Sequence, residues 1–191
     1  MMFDLIASLD SGAQTFFEAL RIPLFTSFFR ILTEMGNLVT LSFIVTVVVA
    51  YFILRRRNDV AVALVGAFIG ATITVALFKL GIGRARPDIL NALMVEHFSS
   101  FPSLHAALAV SVYGTLAHIS VGRMRTDAGV FFIGALCIFL IILIGVSRLY
   151  LGVHYLSDVL GGYLVGGVWY LAAANYLTRR APRWMRTRAM V

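Results

Sequence analysis

The apolar runs decide what this chain can become. A helix needs about 20 mostly apolar residues to cross the hydrocarbon core of a bilayer. Five stretches meet or approach that length: Leu38 to Leu54, Val60 to Leu80, Ser103 to Val121, Gly129 to Val146 and Tyr155 to Leu177. In lipid every backbone donor and acceptor must be satisfied within its own element, and none of these runs alternates like a lipid-facing barrel strand. All five are therefore expected as helices. The composition agrees, since 60% of residues are hydrophobic and 13% charged, outside the usual balance of a water-soluble domain. The expected fold class is all-α: a polytopic membrane bundle of five transmembrane helices. With no repeat, low-complexity tract or linker, residues 1–191 read as one domain.

The first 35 residues fit this scheme less simply. The stretch "FFEALRIPLFTSFFRIL" is apolar and aromatic but interrupted by Glu18, Arg21, Pro23 and Arg30. A charge at the bilayer centre costs at least ~2.5–3.5 kcal/mol, so an amphipathic helix lying in the interface is expected here. The alternative is a poor sixth span. The opening "MMFDLIASLD" has neither a basic start nor a long apolar core with a small-residue cleavage site, so a removable signal peptide is not expected. Cys137, the single cysteine, has no partner in the chain for a disulfide.

Fifteen arginines and one lysine, Lys79, face nine acids, for a net charge of +7. Ten of the arginines fall in "RRRND" (55–59), "GRMRTD" (122–127) and "TRRAPRWMRTR" (178–188), which five spans place on one side of the membrane. By the positive-inside rule that side, with the C-terminus, is cytoplasmic. Clustering beside apolar spans also argues against nucleic acid as the partner. Trp184 suits an interface belt, and Gly161, Gly162, Gly166 and Gly167 suit close helix packing. His118 reads as structural or interfacial, and His97 as solvated.

Three short segments share the opposite face. The first, "KLGIGRARP", ends one span with Lys79 and carries Arg86 and Pro87. In the second, "FPSLH", Pro102 and Ser103 open the next helix and His105 falls in its first turn. The third, "SRLYLGVHYLSD", holds Arg148, His154 and Asp158. A spacing of four places His154 and Asp158 on one helix face, where the carboxylate accepts a hydrogen bond from one imidazole nitrogen and leaves the other free as a nucleophile. Lys79, Arg86 and Arg148 on a water-facing rim suit the equatorial oxygens of a phosphoryl group, helped by the N–H groups of the helix opening at Ser103. Phosphoryl transfer needs chiefly positioning and charge stabilisation, which this set supplies without a metal or other cofactor. His105 is placed to act as the acid for the leaving oxygen.

The three segments resemble the signature motifs of the type 2 phosphatidic acid phosphatase family, which shares its site with vanadium haloperoxidases. Lysine, six residues, then Arg-Pro is met by Lys79, Arg86 and Pro87. Pro-Ser-x-His is met by Pro102, Ser103 and His105. Ser-Arg, five residues, His, three residues, Asp is met by Ser147, Arg148, His154 and Asp158. The resemblance spans residues 79–158, and the first 37 residues add nothing specific to it. It implies a phosphohistidine formed on His154 and held by Asp158, protonation of the leaving group by His105, and phosphoryl binding by Lys79, Arg86, Ser103 and Arg148. One position departs: Leu104 stands where the family usually has glycine, and a left-handed backbone there would strain leucine.

The expected function is an integral membrane lipid phosphatase of the cytoplasmic (inner) membrane, with its site open to the extracytoplasmic face. Its substrate is a lipid phosphomonoester or diphosphate, with undecaprenyl or another polyprenyl diphosphate ahead of phosphatidylglycerol phosphate and phosphatidic acid. The rivals are a lipid phosphotransferase using the same phosphohistidine and a non-catalytic lipid-binding or transport protein. Each cation alone reads as a snorkelling anchor, and His105, His154 and Asp158 alone read as a metal triad, which three neighbouring cations would disfavour.

Overall fold

A computed structural model describes residues 2–87, 91–122, 124 and 126–180. Seven helices account for most of it: α1 (Met2–Ala19), α2 (Pro23–Glu34), α3 (Leu38–Leu54), α4 (Asn58–Ile82), α5 (Leu104–Val121), α6 (Asp127–Tyr150) and α7 (Leu156–Arg180). Arg123, Arg125, Arg183, Trp184, Arg186 and Arg188, which entered the orientation and interface expectations, lie outside the described residues.

Four of these helices, α4 to α7, are singly long and apolar enough to cross a membrane. The expected span from Leu38 to Leu54 forms a helix of 17 residues, and it passes the same test only together with α2, as a broken span bent by 44°. Nor do the first 35 residues form one continuous amphipathic helix. The chain breaks between α1 and α2, where Ile22 is extended and Pro23 opens the new helix with a fixed φ and no N–H to leave unpaired.

Two of the charges in this segment bond to the protein's own main chain. Arg21 donates from Nη1 to the Asn91 carbonyl at 2.7 Å and from Nε to the Tyr150 carbonyl at 3.2 Å. Arg30 donates to the Leu93 carbonyl at 3.0 Å.

Local signals fix the other ends. Asn37 caps α3, accepting from the Val39 amide at 2.9 Å, and donates to Glu34, bracing the α2–α3 bend. Gly83 stops α4 in a left-handed conformation, φ 60°, with its N–H on the Lys79 carbonyl. Only glycine takes that conformation without strain. Thr126 caps α6 through the Gly129 amide.

Helix α5 is the centre of the bundle, packed against α3, α4, α6 and α7. Its residues 109–113 form one π-helical turn. Leu108, Ala109 and Val112 meet Leu41 and Val45 of α3, Leu64 and Ala71 of α4, and Ile144 of α6 in the largest core cluster. By contrast, only 11% of the apolar window of α6 is buried inside the protein, and Phe131, Phe132 and Phe139 stand outward. So much uncovered hydrocarbon is the surface of a chain whose solvent is lipid.

Of the four glycines on α7, Gly162 and Gly166 meet the expectation of close packing. A Cβ on Gly162 would lie 2.5 Å from the Ser103 carbonyl oxygen, and one on Gly166 would strike the Ala107 carbonyl. Gly161 abuts the Phe101 ring, whereas Gly167 faces open space and has no such role.

Candidate active site

Because consecutive helices run back and forth, the end of α4, the start of α5, the end of α6 and the start of α7 share one end of the bundle. Lys79, His105, Arg148 and Asp158 occupy those four positions. The connections deliver the remainder: Arg84 and Arg86 follow Gly83, and His154 follows Gly152, whose φ of 73° turns the chain back towards α7.

His154 is buried at the centre. Its Nδ1 lies 3.4 Å from Asp158 Oδ2, and its Nε2 lies 3.5 Å from Arg86 Nη1. An acceptor on one nitrogen and a donor beside the other define the tautomer: Nδ1 carries the hydrogen, and the Nε2 lone pair faces the cations. Burial first, then the charges of Arg148, Arg86 and Lys79, hold the His154 pKa well below its usual value. The imidazole is thus neutral at physiological pH and able to act as a nucleophile.

Asp158 is fixed on every side. Oδ2 also accepts the Tyr155 amide at 2.9 Å, Oδ1 accepts Arg84 Nη1 at 2.6 Å, and the Asp158 carbonyl accepts the Ser103 amide at 2.9 Å. The last bond ties the α5 opening to the main chain of the residue whose carboxylate orients His154. Ser103 caps α5, its Oγ accepting the Ala106 amide at 3.5 Å. Leu104 is the first residue of α5, with right-handed backbone, so the strain foreseen for a non-glycine residue there does not arise.

The three anticipated cations converge. Arg148 is wholly buried, with Nη1 on Thr33 Oγ1 at 2.9 Å and 3.5 Å from His105 Nε2. Its Nε is buried with no hydrogen-bond partner among the described residues. Arg86 donates from Nε to the Phe98 carbonyl at 2.7 Å and from Nη1 to the Val153 carbonyl at 2.6 Å. Lys79 donates to the Ser99 and Ser100 carbonyls. All seven anticipated site residues are therefore brought together. Among the described residues, no group of three or more His, Cys, Asp or Glu side chains is arranged to hold a metal ion.

Four contributors escaped the sequence reading. Asp10, buried on α1, accepts Arg84 Nη2 at 2.8 Å. Arg84, inside the first motif, bridges Asp10 to Asp158 and lies over the Tyr155 ring. Glu96 pairs with Arg148 and approaches Arg86, and Thr33 braces Arg148. Asp10 and Thr33 lie in the first 37 residues, outside the segments that carry the family resemblance, yet both reach the site. A second arginine two residues before Arg86 was the available signal.

Apolar helices with uncovered outer faces, gathering buried histidines and cations at one end, define an integral membrane protein with a polar, cationic site at that end. The model of the PAP2 superfamily matches residues 60–182, and the chain belongs to that family. It is 37% identical over 94 residues to phosphatidylglycerophosphatase B of Bacillus subtilis, covering 47% of this chain and 44% of that protein. It is 36% identical over 115 residues to decaprenylphosphoryl-5-phosphoribose phosphatase of Mycobacterium tuberculosis, covering 59% and 58%. The matches thus span about half the length of these curated relatives. The crystal structure of a transmembrane PAP2-type phosphatidylglycerolphosphate phosphatase from B. subtilis superposes with a TM-score of 0.85 at 25% identity, over 94% of this chain and 89% of that one. Aquifex aeolicus LpxE gives a TM-score of 0.72 at 25% identity, over 88% and 96%.

Proposed function

We propose that the protein is a membrane lipid phosphatase that removes a terminal phosphate by way of a phosphohistidine on His154. The observation that carries this is the His154 ring itself: Nδ1 on a carboxylate held also by the Tyr155 amide and by Arg84, Nε2 beside a guanidinium. Lys79, Arg86 and Arg148 hold the phosphoryl oxygens, and the Ser103 hydroxyl donates to one of them. His154 Nε2 attacks phosphorus as the bond to the lipid oxygen breaks, and His105 gives that oxygen a proton. Water then attacks phosphorus, returns a proton to His105, breaks the N–P bond and releases phosphate.

The site belongs at the extracytoplasmic face of the inner membrane. Arg55, Arg56, Arg57, Arg179 and Arg180 lie at the opposite ends of their helices and mark the cytoplasmic side. The substrate is a lipid phosphate whose tail approaches from the bilayer. Both curated relatives are named for lipid phosphates, which supports a phosphomonoester at least as well as a polyprenyl diphosphate.

Phosphate release by the purified protein from phosphatidylglycerol phosphate, phosphatidic acid and undecaprenyl diphosphate, with chelator present, tests the reading. Activity should survive chelation, be inhibited by vanadate and vanish in His154→Ala. Activity retained by His154→Ala, or lost to chelator and restored by a divalent ion, would overturn it.

A further inference from the structure

Glu96 belongs to no helix. From the connection between α4 and α5 it sets one carboxylate oxygen on Arg148 Nη2 and the other 3.6 Å from Arg86 Nη2. The same two guanidiniums face His105 and His154 with their Nη1 atoms, each at 3.5 Å. A carboxylate therefore sits on the two cations that flank both imidazoles, where a phosphoryl group must bind for His154 to reach its phosphorus. We infer that Glu96 is a resident anion which the substrate's terminal phosphoryl group displaces, and that this exchange selects doubly ionised phosphomonoester ends over phosphodiesters. The inference rests on the proposed phosphatase reading and deepens it.

Charge supplies the first argument. Four cations, Lys79, Arg84, Arg86 and Arg148, meet three carboxylates, Asp10, Glu96 and Asp158, and Arg84 is committed to Asp10 and Asp158. With Glu96 swung away the surplus is two positive charges. A phosphomonoester carries about −1.5 to −2 near pH 7, so it neutralises that surplus. A phosphodiester has a single negative charge, like Glu96, and gains nothing electrostatically by the exchange.

Donor count supplies the second. Glu96 leaves Arg148 Nε buried and unpaired. A phosphoryl group offers three equatorial oxygens to a carboxylate's two, so it can serve a donor that Glu96 leaves unserved.

An exit supplies the third. The Glu96 side chain is one-quarter exposed. It lines a shallow surface cleft together with Arg86, Met94, Val95 and Val153. It can swing into that cleft without disturbing a helix.

Titration calorimetry of detergent-purified wild type and Glu96→Gln with orthophosphate and dimethyl phosphate tests the exchange. Glu96→Gln should bind orthophosphate about tenfold more tightly or better, equivalent to one decade in Kd, and should gain affinity for dimethyl phosphate. Unchanged or weaker orthophosphate binding in the variant would overturn the inference. Hydrogen exchange on wild type alone guards against a misfolded variant: saturating orthophosphate should speed exchange of the amides of residues 95–97, and unchanged or slower exchange there would overturn it. Neither readout requires turnover. A protein that passes both yet releases phosphate from no lipid would refute the phosphatase reading and leave the exchange standing.

Discussion

Asp10, on the first helix, and Ser157, on the last, are joined by two hydrogen bonds: the Ser157 amide and hydroxyl donate to the two Asp10 oxygens at 2.9 and 2.7 Å. Arg84 binds the same Asp10 carboxylate and, at 2.6 Å, Asp158. The chain's first turns thus steady the acid that orients His154. Asp10→Asn keeps an acceptor for Ser157 but removes the charge facing Arg84. A hydrogen bond to a charged group is worth about 1.5–3 kcal/mol, so thermal unfolding in detergent should show a loss of that order, with a lower kcat and little change in KM.

His105 is distinguished from a binding residue by the leaving group. General acid catalysis contributes about 10²–10⁴-fold, and only where the departing oxygen needs a proton. His105→Asn should lose activity of that order on an alkyl phosphate. On p-nitrophenyl phosphate, whose leaving group needs no proton, it should lose far less. Equal losses on both would refute the role.

The depressed pKa of His154 fixes the sign of two pH effects. Its nucleophilic form is the neutral one, which persists as pH falls through the ordinary histidine value of 6.5 and is lost only well below it. The acid limb of kcat/KM due to His154 should therefore lie well under 6.5. Stability behaves differently, because the unfolded chain binds the proton first. The His154 contribution is full above 6.5 and is lost as pH falls from there towards the folded-state value. Melting temperatures should fall in that window, and less so in His154→Gln.

Gly162 and Gly167 form a matched pair on α7. A methyl on Gly162 collides with the Ser103 carbonyl and comes within 2.9 Å of Ala106 Cβ, forcing α5 away from the helix that carries Asp158. Gly162→Ala should cost about 1–3 kcal/mol by overpacking and sharply reduce turnover. Gly167→Ala, with open space around it, should leave both unchanged.

The principal site residues were legible because each motif is local: His154 and Asp158 lie four residues apart, although His154 precedes α7 rather than sharing a helix face with Asp158 as expected, and a Pro-Ser opening puts His105 in a first turn. Alternating helix direction then brings the segments to one end without further information. Asp10, Thr33 and Glu96 were not legible, since each acts on a partner 52 or more residues away and no periodicity encodes that distance. Arg84 lay in plain view two residues before Arg86, but its partner on α1 did not. The π-helical turn at 109–113 was also silent, because "AVSVY" is as apolar as the α-helical residues around it. Pro23 was visible as an interruption but the split into two helices was not foreseen, and the bonds of Arg21 and Arg30 depend on carbonyls supplied by distant segments.

Lys79 and Arg86 are aimed by peptide carbonyls, those of Ser99, Ser100, Phe98 and Val153. Main-chain oxygens steer a cation without cancelling it, and they are indifferent to the side chain they belong to. Phe98, whose ring stands in the open, is thus at liberty to change identity while its peptide goes on gripping Arg86. A change of side chain at that position leaves the geometry of the reacting centre intact.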